Sequence, residues 1–542
     1  MERLSHSLGL RTNPTIFFTS AGLMIVFLLA LIIAPEAIGS FFAEARSWIV
    51  TNLGWFFIMG VNVWLIFLIW VALSKYGNIR LGDPDSRPEY SNLSWFTMLF
   101  AGGIGTVLMF WGVAEPILHF SAPPFDTTEP HSVQAAREAM GFSLYHLGLH
   151  TWTIFTLPGL AFAYFIYRYN LPIRVSSVFY PFLGEGIHGP IGRAIDITAI
   201  LGTLFGVAVS IGLGTSQINA GLSELMGLPD SVTSKVIIIT ILTAVATASI
   251  VVGLDKGVKT LSNINIGMAT ALMVFVLLTG STVFLLRGII ETVGIYATNI
   301  LPMAFWNDMM AGHTSDDGWG WQGGWTVFYW AWTVTWSPFI GIFVARISKG
   351  RTIREFVLGV LLAPSLFTLV WFAIFGWSAM EIDGIGEAAR AALGDSAGQI
   401  AEAVGRGPEF AMFAFFENFP ATQLIQGLAV VIVAIFFATS SDSASLVVDM
   451  LCTGDTQPGP VRQRVFWGVS EGAVAAMLIV LAGEAGLVAL QQVITVVGLP
   501  IFILCFAMIF ALAKALMTED VTAATVGAPP DTEALHQQRD PR

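Results

Sequence analysis

Charge is what this sequence has least of. Only 11% of its 542 residues are Asp, Glu, Lys or Arg, less than half the usage of ordinary soluble domains, which excludes a water-soluble globule of this size. Cysteine is nearly missing as well. Cys452 and Cys505 stand in separate segments, so a disulfide framework is excluded and redox chemistry has nothing to work with. No phosphate-cradling Walker motif, no zinc-ligand spacing and no nucleophile elbow occurs along the chain. Nucleotide-driven work and hydrolysis therefore have no motif to rest on, and neither an enzyme nor a catalytic residue is expected.

What is there is apolar: 55% of the residues are hydrophobic. A membrane-crossing helix needs about 20 mostly apolar residues, and a dozen such runs occur, at roughly 15–36, 52–74, 92–120, 139–167, 191–222, 235–253, 260–285, 325–346, 353–378, 423–450, 465–483 and 486–513. The fold class is all-α polytopic membrane protein with twelve transmembrane helices. The first run is followed by no small-residue cleavage pattern and is read as a span, with no segment removed. With a cytoplasmic N-terminus, all but six of the 25 basic residues fall on inside segments, leaving Arg46, Arg137, Lys235, Arg287, Arg390 and Arg406 outside. By the positive-inside rule both termini are cytoplasmic, in the cytoplasmic (inner) cell membrane.

Residues 1–14 form a short cytoplasmic tail, and 515–542, rich in Gly, Pro, Thr and acids without apolar period, read as a disordered one. After the seventh span, 286–324 opens with a rough apolar helical face and is read as an interfacial helix followed by an outside loop. The Ala-rich stretch IGEAARAALGDSAGQIAEAVGRG near 385–407 reads as an outside helix pair.

Three spans are unusual. The third carries Phe100-Ala-Gly-Gly-Ile-Gly-Thr106 near mid-membrane. Each glycine costs about 1 kcal/mol against alanine in a helix, so the stretch is either a close-packing face or an unwound point lining a solute cavity. The tenth carries Phe436-Phe-Ala-Thr-Ser-Ser-Asp-Ser-Ala-Ser445. Its hydroxyls either bond their own helix or serve as hard oxygen donors for a small cation. The eighth opens WTVFYWAWTVTWSPFIG, in which Trp325, Tyr329, Trp332 and Trp336 recur at 4, 3 and 4 residues and share one narrow face, with Trp330 pointing elsewhere. The stripe extends over about 16 Å of helix. It is either an anchoring belt or a cavity wall, and aromatic faces favour organic cations.

WTVFYWAWTVTWSPFIGIFVARISKGRTIREF resembles the eighth-span signature of the betaine/choline/carnitine transporter family. MLFAGGIGTVLMFWGVAEP, HLGLHTW, QINAGL and FFATSSDSAS are similar to its other marks, in the same order. The resemblance covers residues 15–515. It implies a secondary active symporter importing a small zwitterionic or quaternary-ammonium osmolyte-like solute of the glycine betaine, choline or carnitine type. It also implies a leucine-transporter-like inverted repeat of two five-helix halves, 92–285 (spans 3–7) and 325–514 (spans 8–12), after two N-terminal helices in 15–91, and a homotrimer held partly by the interfacial helix.

In betaine-type members a cage of tryptophans and a tyrosine from spans four and eight encloses the trimethylammonium. The matching positions here are Leu147, Trp152 and Phe155 on span four and Thr333 on span eight, so Trp152 alone keeps its cage identity. Trp332, Trp336 and Phe339 would complete the walls, and the amides of Gly102, Gly103 and Gly105 could receive a carboxylate. The family's sodium site maps to Ala101, Ile104, Phe436, Thr439 and Ser440, where Ile104 replaces a usual methionine. Thr106 and Val107 depart from the usual glycine-rich pattern. Sodium is the expected coupling ion, with proton coupling, sodium-independent exchange, or a non-transporting sensor or channel as alternatives. His146 and His150 lie one turn apart and read as structural hydrogen-bonding groups more than a proton relay. Glu115, followed by Pro116, reads as the cap ending the membrane part of span three, and Glu471 is an intramembrane acid with no assigned task. The short tail predicts weak osmotic activation.

Overall fold

The apolar runs form helices because nothing interrupts them and because their ends carry the right punctuation. In a computed structural model, residues 1–101, 105–252, 255–314, 320–455, 457–483 and 487–519 are described, with the backbone alone for 100, 101, 252, 255–260 and 314. The main helices are α1 (Pro14–Ile33), α2 (Pro35–Leu73), α3 (Asn92–Ala101), α4 (Gly105–Ser121), α5 (Val133–Leu147), α6 (Leu149–Arg168), α7 (Pro190–Met226), α8 (Val232–Val252), α9 (Asp255–Thr279), α10 (Thr282–Phe305), α11 (Thr326–Ile347), α12 (Ile353–Asp383), α13 (Thr422–Thr453), α14 (Val461–Ala482) and α15 (Leu487–Thr518). Pro14, Pro35 and Pro190 open helices where no amide partner is needed. Thr352 and Glu355 close a capping box on α12. Gly227 and Gly454, at φ of +70° and +76°, end α7 and α13 in the left-handed region. Among the described residues the only strand-like pairing is the isolated bridge of Arg80 with Thr352.

Among the described residues twelve helices are long and apolar enough to cross a membrane, and they are not quite the twelve expected. Span three is described as α3 and α4 on either side of residues 102–104, each short on its own, while α10 qualifies by length and composition. The contacts of α10 describe a helix running across others. Thr292 receives the Trp377 indole of α12 at 2.8 Å, Tyr296 receives the Leu149 amide of α6 at 3.2 Å, and the Ala304 carbonyl receives Asn62 of α2 at 2.6 Å. The loop at 385–407 holds two short helices, Glu387–Leu393 and Gln399–Arg406.

Several boundaries move. Helix α2 starts at Pro35 instead of 52, because hydropathy measures the apolar slab and not the helix. Its 39 residues rise about 58 Å, so its first turns extend past about 30 Å of hydrocarbon. The C-terminal helix continues to Thr518, and buried Glu519 pairs with Arg168, so the tail expected from 515 begins no earlier than 520, outside the described residues. The N-terminal segment is also held: Arg11 pairs with Asp455, and Arg462 donates to the Gly9 carbonyl at 2.6 Å.

Spans four and eight make the centre. In the most apolar stretches of Val133–Arg168 and Gly320–Ile347, 94% of residues are buried, against 22% for Val232–Val251 and 33% for Pro14–Ile33. The exposed faces of those outer helices carry Ile25, Val26, Leu29, Ile237 and Ile241, a lipid-facing belt. One end of the bundle is stitched by loops. Leu81 donates to the Arg351 carbonyl and accepts from the Gly350 amide across the ends of α2 and α11, Ile173 donates to Gly454 between the ends of α6 and α13, and Lys514 donates to Pro181. Both ends of the described chain therefore lie on the face where spans two, four, eight, ten and twelve finish.

Candidate functional site

The tryptophan stripe is a buried ring ladder. Trp321, Trp325 and Tyr329 follow one another at ring separations of 6.2 and 6.4 Å, Trp332 lies 6.2 Å from Tyr329 and is stacked on Phe328 at 5.6 Å, and Trp336 meets Phe339 at 6.2 Å. Trp330 faces away, stacked on His150 at 6.0 Å. An anchoring belt needs rings at the headgroup level, whereas Tyr329, Trp332 and Trp336 are at most 4% exposed even without lipid. The stripe is interior.

Against its middle lies a cavity of about 20 Å³ lined by Val107, Leu147, Thr151, Phe155, Trp332, Thr333 and Trp336. It gathers Leu147, Phe155, Thr333, Trp332 and Trp336 of the predicted solute residues. Trp152 stands one row back, its ring edge-on to Phe155 at 5.5 Å, and Phe339 backs Trp336. Val107 and Thr151 were not anticipated. The space that the Thr333 position leaves is taken up by neighbouring rings and Leu147, so the cavity has room for about one water molecule.

The backbone beside the cavity is irregular. Helix α5 ends at Leu147 and α6 begins at Leu149, with Gly148 between them at ψ of −127°. A Cβ at Gly148 would stand 2.5 Å from the Leu144 carbonyl oxygen. Broken helices at mid-membrane persist where they line a cavity, and this one adjoins Leu147 and Thr151. Span five also contributes: Trp332 donates to Ser210 at 3.0 Å, and a Cβ on Gly206 would meet Thr335 and Trp336 at 2.2 and 2.9 Å. Gly202, Gly206, Ser210 and Gly214 recur every fourth residue, a close-packing signal legible in the sequence and not used.

One turn along from the cavity is a polar cluster. Glu115 is fully buried. Its Oε1 lies 2.6 Å from His146 Nδ1 and 3.3 Å from His119 Nε2, and its Oε2 accepts from Tyr329 at 2.7 Å. His146 Nε2 lies 2.9 Å from Thr326 Oγ1, and His150 Nε2 lies 3.1 Å from Asn62 Oδ1. Glu115 is therefore no terminal cap: α4 continues through Pro116 to Ser121, and the carboxyl ties spans three, four and eight together. Glu115, His119 and His146 come within 4.8 Å, a spacing a metal could use, but both carboxyl oxygens already have protein partners.

Of the predicted solute residues Gly102 and Gly103, and of the predicted cation residues Ile104, lie outside the described residues, and with them the expected break in span three. Ala101 is the last residue of α3, described in its backbone alone. Gly105 opens α4 against span ten so closely that a Cβ would stand 2.0 Å from the Phe436 ring. Thr439 donates to the carbonyls of Ile435 at 2.9 Å and Phe436 at 3.2 Å. Its hydrogen goes to its own helix and its lone pairs remain for another donor or an ion. Ser440 is half-buried and adjacent. We expect Gly105→Leu to force Phe436 aside and cost about 1–3 kcal/mol as overpacking does, seen as a lower thermal midpoint in detergent; an unchanged midpoint would contradict this contact.

A roomier cavity, about 390 Å³, lies elsewhere, between Asn92, Trp95, Arg351 and Glu355 at the stitched end. Arg351 sits 3.9 Å over the Trp95 ring and fills the cationic place there.

The family model of the BCCT, betaine/carnitine/choline family transporter, matches residues 15–521. The chain is 46% identical over 516 residues to the ectoine/glycine betaine/proline transporter EctP of Corynebacterium glutamicum, covering 95% of this chain and 82% of that one. It is 40% identical to a glycine betaine transporter of Acinetobacter baylyi (93% and 73% covered) and 38% identical to the high-affinity choline transport protein of Escherichia coli strain K12 (96% and 74% covered). A manganese transporter structure from Eremococcus coleocola covers 87% of this chain and 90% of its own at 12% identity, with a TM-score of 0.33, too slight a likeness to carry an argument. This multi-pass membrane protein, with its aromatic cavity closed between spans four and eight, belongs to the betaine/carnitine/choline family of transporters.

Proposed function

We propose that this protein is a sodium-driven secondary symporter that imports a small zwitterionic osmolyte across the cytoplasmic membrane, with both termini cytoplasmic. The observation that carries the reading is the cavity of Leu147, Thr151, Phe155, Trp332, Thr333 and Trp336. Its ring faces suit a desolvated cationic centre, each such contact being worth about 2 kcal/mol. The Thr333 and Thr151 hydroxyls add polar capacity that a purely aromatic cage lacks. This favours solutes whose positive charge is spread over a ring or carries N–H groups, alongside glycine betaine. The substrates for which the relatives are named, ectoine, glycine betaine, proline and choline, span that range.

For the ion, the proposed residues are Ala101, Ile104, Phe436, Thr439 and Ser440, whose carbonyl and hydroxyl oxygens would be the hard donors a sodium ion takes. Spans 3–7 and 8–12 act as two inverted halves around this point. The apolar outer side of α10, with Ile290 76% and Leu301 66% exposed, is the surface on which a homotrimer would close. The second reading, proton-coupled or sodium-independent exchange through the same cavity, is favoured by Thr106 and Val107 standing where glycine is usual.

Uptake in proteoliposomes decides. Glycine betaine, ectoine, proline, choline and carnitine are each offered with an inward sodium gradient, with a proton gradient alone, and with neither. Accumulation of at least one zwitterion dependent on sodium is expected. Accumulation that follows the proton gradient alone selects the second reading, and uptake of none overturns both.

A further inference from the structure

Glu471 sits in the middle of α14 and is fully buried. Its Oε2 accepts from Ser441 of α13 at 2.9 Å, and its Oε1 is buried with no hydrogen-bond partner among the described residues. The elements packed against α14 offer little else. Helix α8 presents Thr243, whose hydroxyl crowds Gly472, and carries no acid or base inside the span. Helix α1 carries no charged residue, and α7 and α15 place theirs near their ends. The titratable neighbour on α13 is Asp442, which is itself engaged. Lys256 and Lys259 of α9 lie among the residues whose side chains are not described. A bare carboxylate with one hydroxyl donor, beside a second acid and inside an apolar slab, is too costly to keep. A proton on the unpartnered oxygen removes the charge.

Ser441 directly follows Thr439 and Ser440 on the same helix, so the one hydrogen bond to Glu471 crosses the seam between span ten and span eleven. Any sliding of α13 during opening of the cation region changes the Ser441–Glu471 distance, and with it the cost of leaving Glu471 charged. We propose that Glu471 is a proton-binding site of the transport cycle, occupied while α13 and α14 pack it away from water and emptied when their parting lets water reach the carboxyl, so that a proton crosses with the solute. The carboxylate gains H⁺ from water on the entry side to become the neutral acid and returns it to water on the exit side. This rests on the reading of the chain as a solute carrier and adds one charge per cycle to it.

The test uses the full-length protein in liposomes holding a trapped pH dye, with sodium equal on both sides. Solute added outside should acidify the lumen with wild type and not with Glu471→Gln, which should still bind solute in a thermal-shift titration. In parallel, the infrared spectrum at neutral pH should show a protonated carboxyl band that Glu471→Gln lacks and that Ser441→Ala titrates away at a different pH from wild type. Solute entry into wild-type liposomes with no lumenal acidification overturns the proposal. If no solute enters wild-type liposomes at all, the carrier reading fails, and the infrared band alone decides proton binding: a band identical in wild type and Glu471→Gln overturns it. Should Glu471→Gln not fold, an unshifted band in Ser441→Ala overturns it equally.

Discussion

Trp332→Ala is expected to weaken solute affinity on the order of 30-fold. The indole lies on the cavity wall, 4% exposed, stacked on Phe328 at 5.6 Å and anchored to Ser210 at 3.0 Å. Removing one desolvated cation–aromatic contact forfeits about 2 kcal/mol, and each 1.4 kcal/mol is about tenfold in binding. The same change opens a hole worth about 3–5 kcal/mol of stability, so the thermal midpoint must be followed beside uptake. Trp332→Phe separates the two effects. It keeps a ring over the cavity and on Phe328 but loses the N–H bond to Ser210, and its KM should lie between wild type and the alanine variant. A folded Trp332→Ala protein with unchanged KM would show that the solute does not touch this wall.

Glu115→Leu should be the most damaging single change to the bundle itself. It would leave His146 Nδ1, His119 Nε2 and the Tyr329 hydroxyl facing a methyl group in a buried site, and each orphaned buried donor costs about 1–3 kcal/mol. Tyr329→Phe removes one donor while the two imidazoles stay paired, so its loss should be about a third as large. Because the cluster joins spans three, four and eight beside the cavity, Glu115→Leu should also abolish uptake in whatever fraction stays folded. Wild-type melting and uptake in Glu115→Leu would mean that the cluster holds nothing together.

Helical periodicity explains why so much of the cavity was legible. Residues 325, 329, 332 and 336 share a face whatever surrounds them, so the sequence placed the stripe before any neighbour was known. The same reasoning could not place Glu115. A Glu–Pro pair looks like a helix end, and the partners that keep it inside, His146 and Tyr329, are 31 and 214 residues away. Gly148 was overlooked because a lone glycine inside an apolar run costs little in any composition window, yet it is where span four breaks. The start of α2 and the end of α15 were missed for a related reason: Glu44, Arg46 and Lys514 end the hydropathy signal while the hydrogen-bonded helix continues. Thr439 illustrates a remaining ambiguity, since a hydroxyl bonded to its own helix and one offered to an ion have the same sequence.

The central claim is that solute occupies the space bounded by Leu147, Phe155, Trp332, Thr333 and Trp336. Thr333→Cys places a thiol in that space, while the native Cys452 and Cys505 are buried and free and can be replaced by serine as a background. Alkylation of Thr333→Cys by a small maleimide should be slowed several-fold by the transported solute in the presence of sodium, in step with its uptake KM. A labelling rate that saturating solute leaves unchanged, in a variant that still transports, would contradict the account.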